Sequence, residues 1–372
     1  MFLRGKVGID FSREILKGYD IIAILNRVEN VDAVRRAIKY CKDLTPSTKI
    51  LTYGQASNYI PSYFTKYSLD AIIHSGDWEL IIKKFVNYVK GVHHLKNLNG
   101  LIIRKGNNWV KTGEGERLPP NKWGFPALDL LPLEDYNKIY EKEKNISGIR
   151  GKKELSLTVS RGCPYNCIFC PAPKIDGSVE RRRSVNSVIN FVTNSFSKYD
   201  FDYVSMFSPT FTLNREWVVE FCSKVVKNSL ELKWKCVTTI NDIDEKLIKI
   251  MSDAGCFRIG FGVESLEKEP QKNIGKFISE KKLEKIIKTC LKYNITPLCF
   301  VMVGIPGQTK DGVRHTIKKI YEMGGESRLS IYTPYYKLND NMSEREILSF
   351  KRMIINHKLL SNNTFVEKIF KR

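Results

Sequence analysis

The chain has 372 residues and 42% hydrophobic content, which is enough for two globular domains and excludes a disordered or fibrous protein. No apolar stretch approaches the length that spans a bilayer, and Met1 to Phe11 carries charges that a secretory signal lacks. Nine cysteines in such a chain are typical of a reducing compartment, so we expect a cytoplasmic protein without a membrane partner.

The net charge of +21 allows a polyanionic partner such as RNA. The basic residues are spread along the chain, however, and the most compact run is only Arg181-Arg182-Arg183. General over-use of lysine explains this pattern, so RNA is the less favoured partner.

Residues 1–95 alternate between short apolar runs and amphipathic segments. Strands are predicted at Asp20 to Leu25, Lys49 to Tyr53 and Leu69 to His74, and helices at Val31 to Cys41, around Tyr59 to Tyr67, and at Trp78 to Val89. This order predicts a Rossmann-like half-domain with a parallel sheet. Ligands of such sheets bind beyond the carboxyl ends of the strands, where this chain has Gly54, Gln55, Ser75 and Gly76.

Residues 96–150 are predicted to form a connector. Leu101 to Arg104 and Trp109 to Lys111 are typical of a hairpin around Gly106-Asn107-Asn108. Four prolines follow among apolar residues, which indicates a stiff segment packed onto a domain.

Residues 151–335 again alternate between strands and helices. The predicted strands are Glu154 to Ser160, Tyr203 to Phe207, Lys233 to Thr239, Phe257 to Val263, Pro297 to Val303 and Arg328 to Thr333. The predicted helices are Val185 to Phe196, Arg215 to Val226, Glu245 to Ser252, Glu280 to Tyr293 and Gly312 to Met323. The pattern predicts an open (β/α)6 partial barrel, whose active site lies at the carboxyl ends of the strands. Residues 336–372 are predicted to form a helical tail.

A cysteine-rich loop follows the first of these strands. Gly162 and Pro164 end the strand, and Cys163, Cys167 and Cys170 then stand in a C-x3-C-x2-C spacing. Three thiolates can hold three corners of a 4Fe–4S cluster and leave one iron open to a substrate. A zinc site normally needs a fourth Cys or His nearby, and no histidine lies between His94 and His315. Zinc and chance spacing are the alternatives, and the other six cysteines are predicted to be ordinary buried residues.

The strand, the cysteine spacing and the aromatic Phe169 before the last cysteine resemble the radical S-adenosylmethionine (SAM) superfamily. The resemblance implies that the open iron chelates SAM, and that one electron from the cluster cleaves SAM to methionine and a 5′-deoxyadenosyl radical. It also implies a reductase of the flavodoxin or ferredoxin type.

The other strand ends extend the resemblance. Ser208 and Thr210 stand where relatives carry an acidic stretch that holds the SAM amino group, so these hydroxyls would replace it. Glu264 ends a strand in a Gly-Val-Glu-Ser pattern that is similar to the family's Gly-Ile-Glu-Ser, near the SAM ribose and methionine. A charged residue there needs a polar ligand or a basic partner. Gly304 and Pro306 belong to a Gly-x-Pro-Gly-x-Thr turn that the resemblance places along the SAM adenine.

The first domain resembles the cobalamin-binding domain that precedes many radical SAM domains. In that family a Gly pair and a Gly-Glu-Gly-Glu turn line the ligand, and here Gly54-Gln55 and Ser75-Gly76-Asp77-Trp78-Glu79 stand at those places in altered form. Only a few residues precede Val7, so we expect the family's first strand and helix to be absent. Weak cobalamin binding, without a histidine below the cobalt, is therefore expected.

The sequence thus predicts a radical SAM enzyme that abstracts hydrogen from an unactivated carbon of a small-molecule or peptide substrate, with cobalamin-dependent methylation as one outcome. The alternatives are a cobalamin-independent dehydrogenase, dehydratase or rearrangement enzyme, an RNA-modifying enzyme, and a non-enzymatic iron–sulfur or zinc protein.

Overall fold

A computed structural model describes residues 18–142, 149 and 152–360 of the chain. The expectations for Met1 to Phe11 and for the end of the tail lie outside these residues. The chain divides into two compact units. Unit 1 comprises Met1–Leu118, Lys174–Asp176 and Pro334–Asn356, and unit 2 comprises Pro119–Pro173, Gly177–Thr333 and His357–Arg372.

Unit 1 is built on a five-stranded sheet in the order β1-β2-β3-β4-β5. The strands are β1 (Ile21–Asn26), β2 (Lys49–Gly54), β3 (Ala71–Ile73), β4 (Leu101–Lys105) and β5 (Asn108–Lys111). The first three strands are parallel, as the alternation of strands and helices predicted. Their carboxyl ends therefore share one edge of the sheet.

The hairpin β4–β5 continues the sheet of unit 1. Strand β4 pairs antiparallel with β3, with Ile72 opposite Ile102, and β5 pairs antiparallel with β4. The sequence assigned these residues to a connector, but the side chains of Leu101, Ile102 and Ile103 are buried in the cores of unit 1. An unpaired β3 would expose a row of backbone donors and acceptors, and the hairpin supplies their partners.

The helices of unit 1 lie at the expected places with small shifts. They are α1 (Val31–Leu44), α2 (Gln55–Tyr59) and α3 (Trp78–Val89). The short helix expected around Tyr59 to Tyr67 begins earlier and ends before Pro61, after which a 3-10 turn runs over Pro61–Phe64. Proline cannot donate a backbone hydrogen bond and restricts the residue before it, which explains the break.

Unit 2 is built on a six-stranded parallel sheet in the order β13-β12-β11-β10-β9-β6. Its strands are β6 (Glu154–Thr158), β9 (Tyr203–Phe207), β10 (Trp234–Thr238), β11 (Cys256–Glu264), β12 (Thr296–Val303) and β13 (Glu326–Ile331). The short strands β7 (Ser160–Arg161) and β8 (Arg181–Arg182) form a separate antiparallel pair. Sequence order follows sheet order, as in the predicted open (β/α)6 barrel.

The helices of unit 2 fill the segments between the strands. They are α4 (Leu133–Lys142), α5 (Ala172–Asp176), α6 (Val185–Lys198), α7 (Arg215–Lys227), α8 (Glu245–Asp253), α9 (Lys268–Ile274), α10 (Glu280–Lys292) and α11 (Lys310–Glu322). Helix α5 ends in the stretch that belongs to unit 1. Helix α11 starts two residues before the prediction because the Thr309 hydroxyl accepts a hydrogen bond from the Gly312 N–H at 2.9 Å.

The core of unit 2 is continuous on the helix-covered face of the sheet and includes Phe211, Phe221 and Trp234. Cys222, Cys236, Cys256, Cys290 and Cys299 are buried in it, which confirms that they are ordinary core residues. Burial raises the pKa of Cys299 to about 12. Such thiols stay protonated and unreactive. No helix among the described residues is both long and apolar enough to cross a membrane.

A C-terminal segment completes unit 1. The helix α12 (Glu344–Leu360) and the residues before it contribute Leu338, Ile347 and Phe350 to a buried cluster of that unit. Ser62 donates hydrogen bonds to Asp340 through its backbone N–H and its hydroxyl, both at 2.7 Å. The predicted helical tail is therefore partly a structural element of the first domain.

Candidate functional site

The loop that carries the three cysteines, residues 162–170, is called the cluster loop below. It lies at the carboxyl end of β6 and is held from several sides. Gly162 adopts a φ of +86°, and a Cβ there would collide with the Val179 carbonyl, so only glycine fits. The Cys163 N–H donates to the Gly177 carbonyl at 3.0 Å, and the Cys170 N–H donates to the Cys167 carbonyl at 2.9 Å. The loop is thus folded in place by its own backbone.

The three thiols of the loop are free and differ in exposure. Cys163 is buried, whereas Cys167 and Cys170 are partly exposed. Burial raises the pKa of Cys167, and the nearby Lys276 opposes it. Burial also raises the pKa of Cys170, as do the neighbouring Cys167 and Cys163. The three sulfur atoms therefore lie within electrostatic range of one another.

Within the described part of the chain, no three His, Cys, Asp or Glu side chains are arranged to hold a single metal ion. A cubane cluster sets a different requirement, because each thiolate binds a different iron atom. Three free thiols on one preformed loop can each bind a different iron atom of such a cluster.

The predicted hydroxyl residues lie beside the first cysteine. Ser208 and Thr210 are buried at the end of β9. The Ser208 and Ser160 hydroxyl oxygens are 2.6 Å apart, and Thr210 Oγ1 lies 3.9 Å from Cys163 Sγ. The structure therefore brings Thr210 to the cluster loop, while Ser208 already has a partner in the chain.

Glu264 ends β11 in a strained position. Its φ of 64° is in the left-handed region, which costs a non-glycine residue about 1–2 kcal/mol. Its carboxylate accepts a hydrogen bond from Lys276 Nζ at 2.9 Å, and both side chains are nearly buried. The sequence predicted that Glu264 would need a polar ligand or a basic partner, and Lys276 confirms it. A Cβ on Gly262 would lie 2.6 Å from Glu264 Oε1, so that glycine makes room for the pair.

Lys276 was not predicted from the sequence. It stands 12 residues after Glu264, in the turn after α9, and no local pattern distinguishes it from the other lysines. The turn packs against the cluster loop, where the Ile168 N–H donates to the Ile274 carbonyl at 3.4 Å. The ion pair and the cysteines thus belong to one site.

An apolar cluster lies where helix α9 and the strands β12 and β13 end. Phe169 packs against a small cluster that contains Ile274, Met302, Ile305 and Tyr332. In the turn after β12, Gly304 has a φ of +89° and its N–H donates to Gln308 Oε1 at 2.8 Å. The Pro306 carbonyl accepts from Asn273 Nδ2 at 2.8 Å. The sequence predicted three residues for this part of the site. They lie around one apolar region at the carboxyl edge of the sheet, the apolar corner, and are Phe169, Gly304 and Pro306.

A second pair at this edge was also missed. The hydroxyl of Tyr165, in the cluster loop, lies 2.6 Å from both carboxylate oxygens of Asp242, which follows β10. Burial and this hydrogen bond raise the pKa of Tyr165, so it remains a neutral donor. The pair fastens the cluster loop to a neighbouring strand end.

The predicted residues of unit 1 lie at the carboxyl edge of its sheet and contact the chain itself. A Cβ on Gly54 would collide with the Asn26 carbonyl, and one on Gly76 would lie 2.8 Å from Gly115 Cα. The Ser75 hydroxyl accepts from the Gly115 N–H at 2.9 Å. Gln55 lies close to the Tyr335 hydroxyl. Both glycines are thus required by backbone packing, whatever ligand binds nearby.

Some buried polar atoms near this edge lack a hydrogen-bond partner among the described residues. They include Oδ1 of Asn58, Nε2 of His74 and Nε1 of Trp78. The Nδ2 group of the same asparagine donates to the His74 carbonyl at 3.2 Å, so the two side chains are neighbours. Unpaired buried polar atoms are rare and normally have a water or a ligand as partner.

Comparison with known proteins identifies unit 2. The model of the radical SAM superfamily matches residues 157–320, a range that includes the cluster loop and Glu264. Residues 157–320 thus carry a radical SAM domain, in agreement with the resemblance found in the sequence. Radical SAM domains use a 4Fe–4S cluster and SAM as cofactors, so the match supports an enzyme of this kind.

Relatives resemble both units. The chain is 26% identical over 329 residues to an uncharacterized methyltransferase, PH0819, from Pyrococcus horikoshii, covering 87% of this chain and 69% of that protein. It is 22% identical to cytidylyl-2-hydroxyethylphosphonate methyltransferase from Streptomyces wedmorensis, covering 82% of this chain and 62% of that protein.

Two solved structures share the fold. The methyltransferase TsrM from Kitasatospora setae, with cobalamin and a 4Fe–4S cluster bound, has a TM-score of 0.67 at 16% identity, covering 88% of this chain and 68% of that one. The cobalamin-dependent radical enzyme OxsB has a TM-score of 0.66 at 18% identity, covering 93% of this chain and 49% of that one. The chain thus spans about half to two thirds of the length of these proteins.

Proposed function

We propose that this protein uses Cys163, Cys167 and Cys170 to hold the cluster at which SAM is cleaved, and that it abstracts hydrogen from a carbon of its substrate. The observation that carries the proposal is the Glu264–Lys276 pair beside three free thiols at the carboxyl edge of a parallel sheet. When bound, the cluster supplies the electron that cleaves SAM to methionine and a 5′-deoxyadenosyl radical.

Three polar side chains of the site are suited to the charged and hydroxyl groups of SAM. Lys276 offers a cation for the methionyl carboxylate, and Glu264 offers acceptors for ribose hydroxyls. Each charge already has its counter-charge at 2.9 Å, so neither is isolated in a dry site before SAM binds. Thr210 adds a hydroxyl near Cys163 in place of the acidic stretch of relatives.

The apolar corner around Phe169 suits the adenine ring. Ile274, Ile305 and Tyr332 are buried there and exclude water, and the Gly304 turn lets backbone approach a flat ring closely. A dry wall next to the reacting atoms limits quenching of a radical by side reactions. The chain's own role is thus to bind, orient and shield.

Methyl transfer with cobalamin on unit 1 is the outcome that we favour. The names of two relatives are those of methyltransferases, and the two related structures contain cobalamin. The unpaired Asn58 and His74 atoms give the carboxyl edge of the unit 1 sheet free polar groups for a ligand. The residues to contact it would be Gly54, Gln55, Ser75 and Gly76.

Radical chemistry without cobalamin is the second candidate. Its specific support is the crowding around two glycines. A Cβ on Gly54 would meet the backbone at Asn26, and a Cβ on Gly76 would meet the backbone at Gly115, so neither glycine borders free space on that side. Crowding of this kind reduces the contact area that a corrin ring can gain, so we expect weak cobalamin binding.

Anaerobic reconstitution tests the proposal. The purified chain is incubated with iron, sulfide and SAM, with and without hydroxocobalamin, and dithionite is added. Formation of 5′-deoxyadenosine in both reactions supports the radical SAM proposal, and S-adenosylhomocysteine or methylated product only with cobalamin supports methyl transfer. A reconstituted 4Fe–4S cluster that leaves SAM intact would refute the proposal.

A further inference from the structure

We propose that the cluster loop and the turn after α9 form the docking surface for the reductant, a small acidic protein that carries a flavin or an iron–sulfur centre. We call this surface the cluster-loop surface. The inference rests on the proposed function, because an electron is needed at this loop only if the loop holds the cluster.

Three large apolar side chains of the cluster-loop surface are exposed to solvent. They are Tyr165 at 38%, Ile168 at 41% and Phe277 at 62%. Single exposed apolar residues are ordinary, but a group on neighbouring loops is typical of a protein contact.

Hydrogen bonds and a close backbone approach make this surface continuous. The Ile168 N–H donates to the Ile274 carbonyl at 3.4 Å, and the Gly275 Cβ position is 3.8 Å from the Asn166 carbonyl. Asn241 Nδ2 donates to the Phe277 carbonyl at 2.9 Å, next to Asp242, the partner of Tyr165. The exposed residues are therefore neighbours and not scattered points.

The place of Ile168 in the loop explains why an electron would enter here. This exposed residue lies between Cys167 and Cys170 in sequence, so the loop reaches the protein surface next to two of the cluster ligands. A carrier seated on Ile168, between the two partly exposed cysteines in sequence, would lie close to the cluster. The carrier gives up one electron and is oxidised by one unit, while the cluster passes from the 2+ to the 1+ state.

Charge favours an acidic carrier. Lys272 is exposed in the last turn of α9, and Lys282 Nζ donates to the Asn241 carbonyl at 3.1 Å, beside Phe277. The Tyr165 hydroxyl donates a hydrogen bond to the carboxylate of Asp242, which offsets part of the negative charge near this surface. The chain as a whole carries +21, so an acidic partner is attracted at long range.

The test measures binding and reduction separately. The affinity of a purified acidic flavodoxin for the full chain is measured by calorimetry at low and high salt. The rate of cluster reduction by flavodoxin hydroquinone, and by dithionite, is followed by absorbance in stopped flow. Dithionite is small and needs no docking surface, so it reports the intrinsic reactivity of the cluster.

Two surface variants have matched controls. Phe277→Glu and Lys272→Glu alter the cluster-loop surface, whereas Val226→Glu and Lys227→Glu make the same changes at the exposed end of α7. That helix ends at the opposite edge of the sheet, because helices of βα units run antiparallel to the strands. Each surface variant should weaken flavodoxin binding and slow its reduction of the cluster about tenfold, equivalent to about 1.4 kcal/mol. The controls should match the wild type.

Three results would overturn the docking inference. One is unchanged flavodoxin affinity and reduction rate in both surface variants. Another is an equal loss of rate with dithionite in Lys272→Glu, which lies outside the thiol loop. The third is self-association of the chain through this surface, detected as loss of a dimer in Phe277→Glu. Failure of the proposed function looks different, because the wild type would then not cleave SAM with dithionite either.

Discussion

Glu264→Gln is expected to destabilise unit 2 in the cofactor-free protein. The change keeps the size and the strained backbone of the residue but leaves the Lys276 ammonium without its carboxylate. The two side chains are only 6% and 15% exposed, and breaking a buried pair from one side costs about 3–5 kcal/mol. Because Lys276 retains some access to solvent, we expect about 3 kcal/mol.

The double variant Glu264→Gln/Lys276→Met separates the pair from its individual groups. It removes both charges, so its cost should be close to zero, and the coupling energy should be at least the cost of about 3 kcal/mol expected for Glu264→Gln alone. Guanidinium unfolding of the cluster-free chain, followed by tryptophan fluorescence, measures these differences. Glu245→Gln is the control, since its pair with Lys285 is half exposed and should contribute under about 0.5 kcal/mol. If the costs of the two single variants in free energy of unfolding add up to the cost of the double variant, the two charges do not interact, and the argument for this pair fails.

Further predictions concern the cluster, SAM and pH. Alanine at any one of the three loop cysteines should abolish the 4Fe–4S absorbance after reconstitution and all SAM cleavage, whereas Cys290→Ala should keep both; a fully active loop variant would disprove the ligand assignment. Gly304→Val, at a φ of +89°, should weaken SAM affinity about tenfold in equilibrium dialysis with the cluster spectrum intact, and unchanged affinity would place SAM elsewhere. Burial lowers the pKa of His74 below its ordinary 6.5, so the unfolded state binds more protons and unit 1 should lose stability as pH falls below 6.5. In His74→Gln, the free energy of unfolding in urea should change less between pH 5 and pH 7 than it does in the wild type. An equal change in both proteins would show that His74 is not the group responsible.

Regular elements were accessible from the sequence because their periodicity is local. The bounds of Trp78–Val89 and Tyr203–Phe207 were predicted to the residue. Both segments place apolar side chains at the spacing of one buried face, so no distant information is needed. The order of the six strands of unit 2 followed from the same alternation and from the handedness of crossovers.

Contacts between residues that are distant in sequence could not be predicted in the same way. The need of Glu264 for a counter-charge could be argued from burial alone, but its identity as Lys276 depends on where α9 ends. That short helix was missed because its seven residues give too few turns for a periodic pattern. Similarly, the hairpin β4–β5 was recognised, but its place in the sheet depends on pairing with β3, which local sequence does not encode.

Unit 1 has a consequence for the order in which the chain folds during synthesis. Its core includes Ile347 and Phe350, and Lys351 forms an ion pair with Asp32 across 319 positions. The ribosome therefore releases all of residues 119–333 before the last pieces of the first domain exist. Contacts of such sequence separation form slowly. In a nascent chain stalled before residue 334, we expect unit 2 to resist protease and the Rossmann-like unit 1 to be cleaved. The surface of α1 in that chain lacks the C-terminal helix that packs on it in the complete fold.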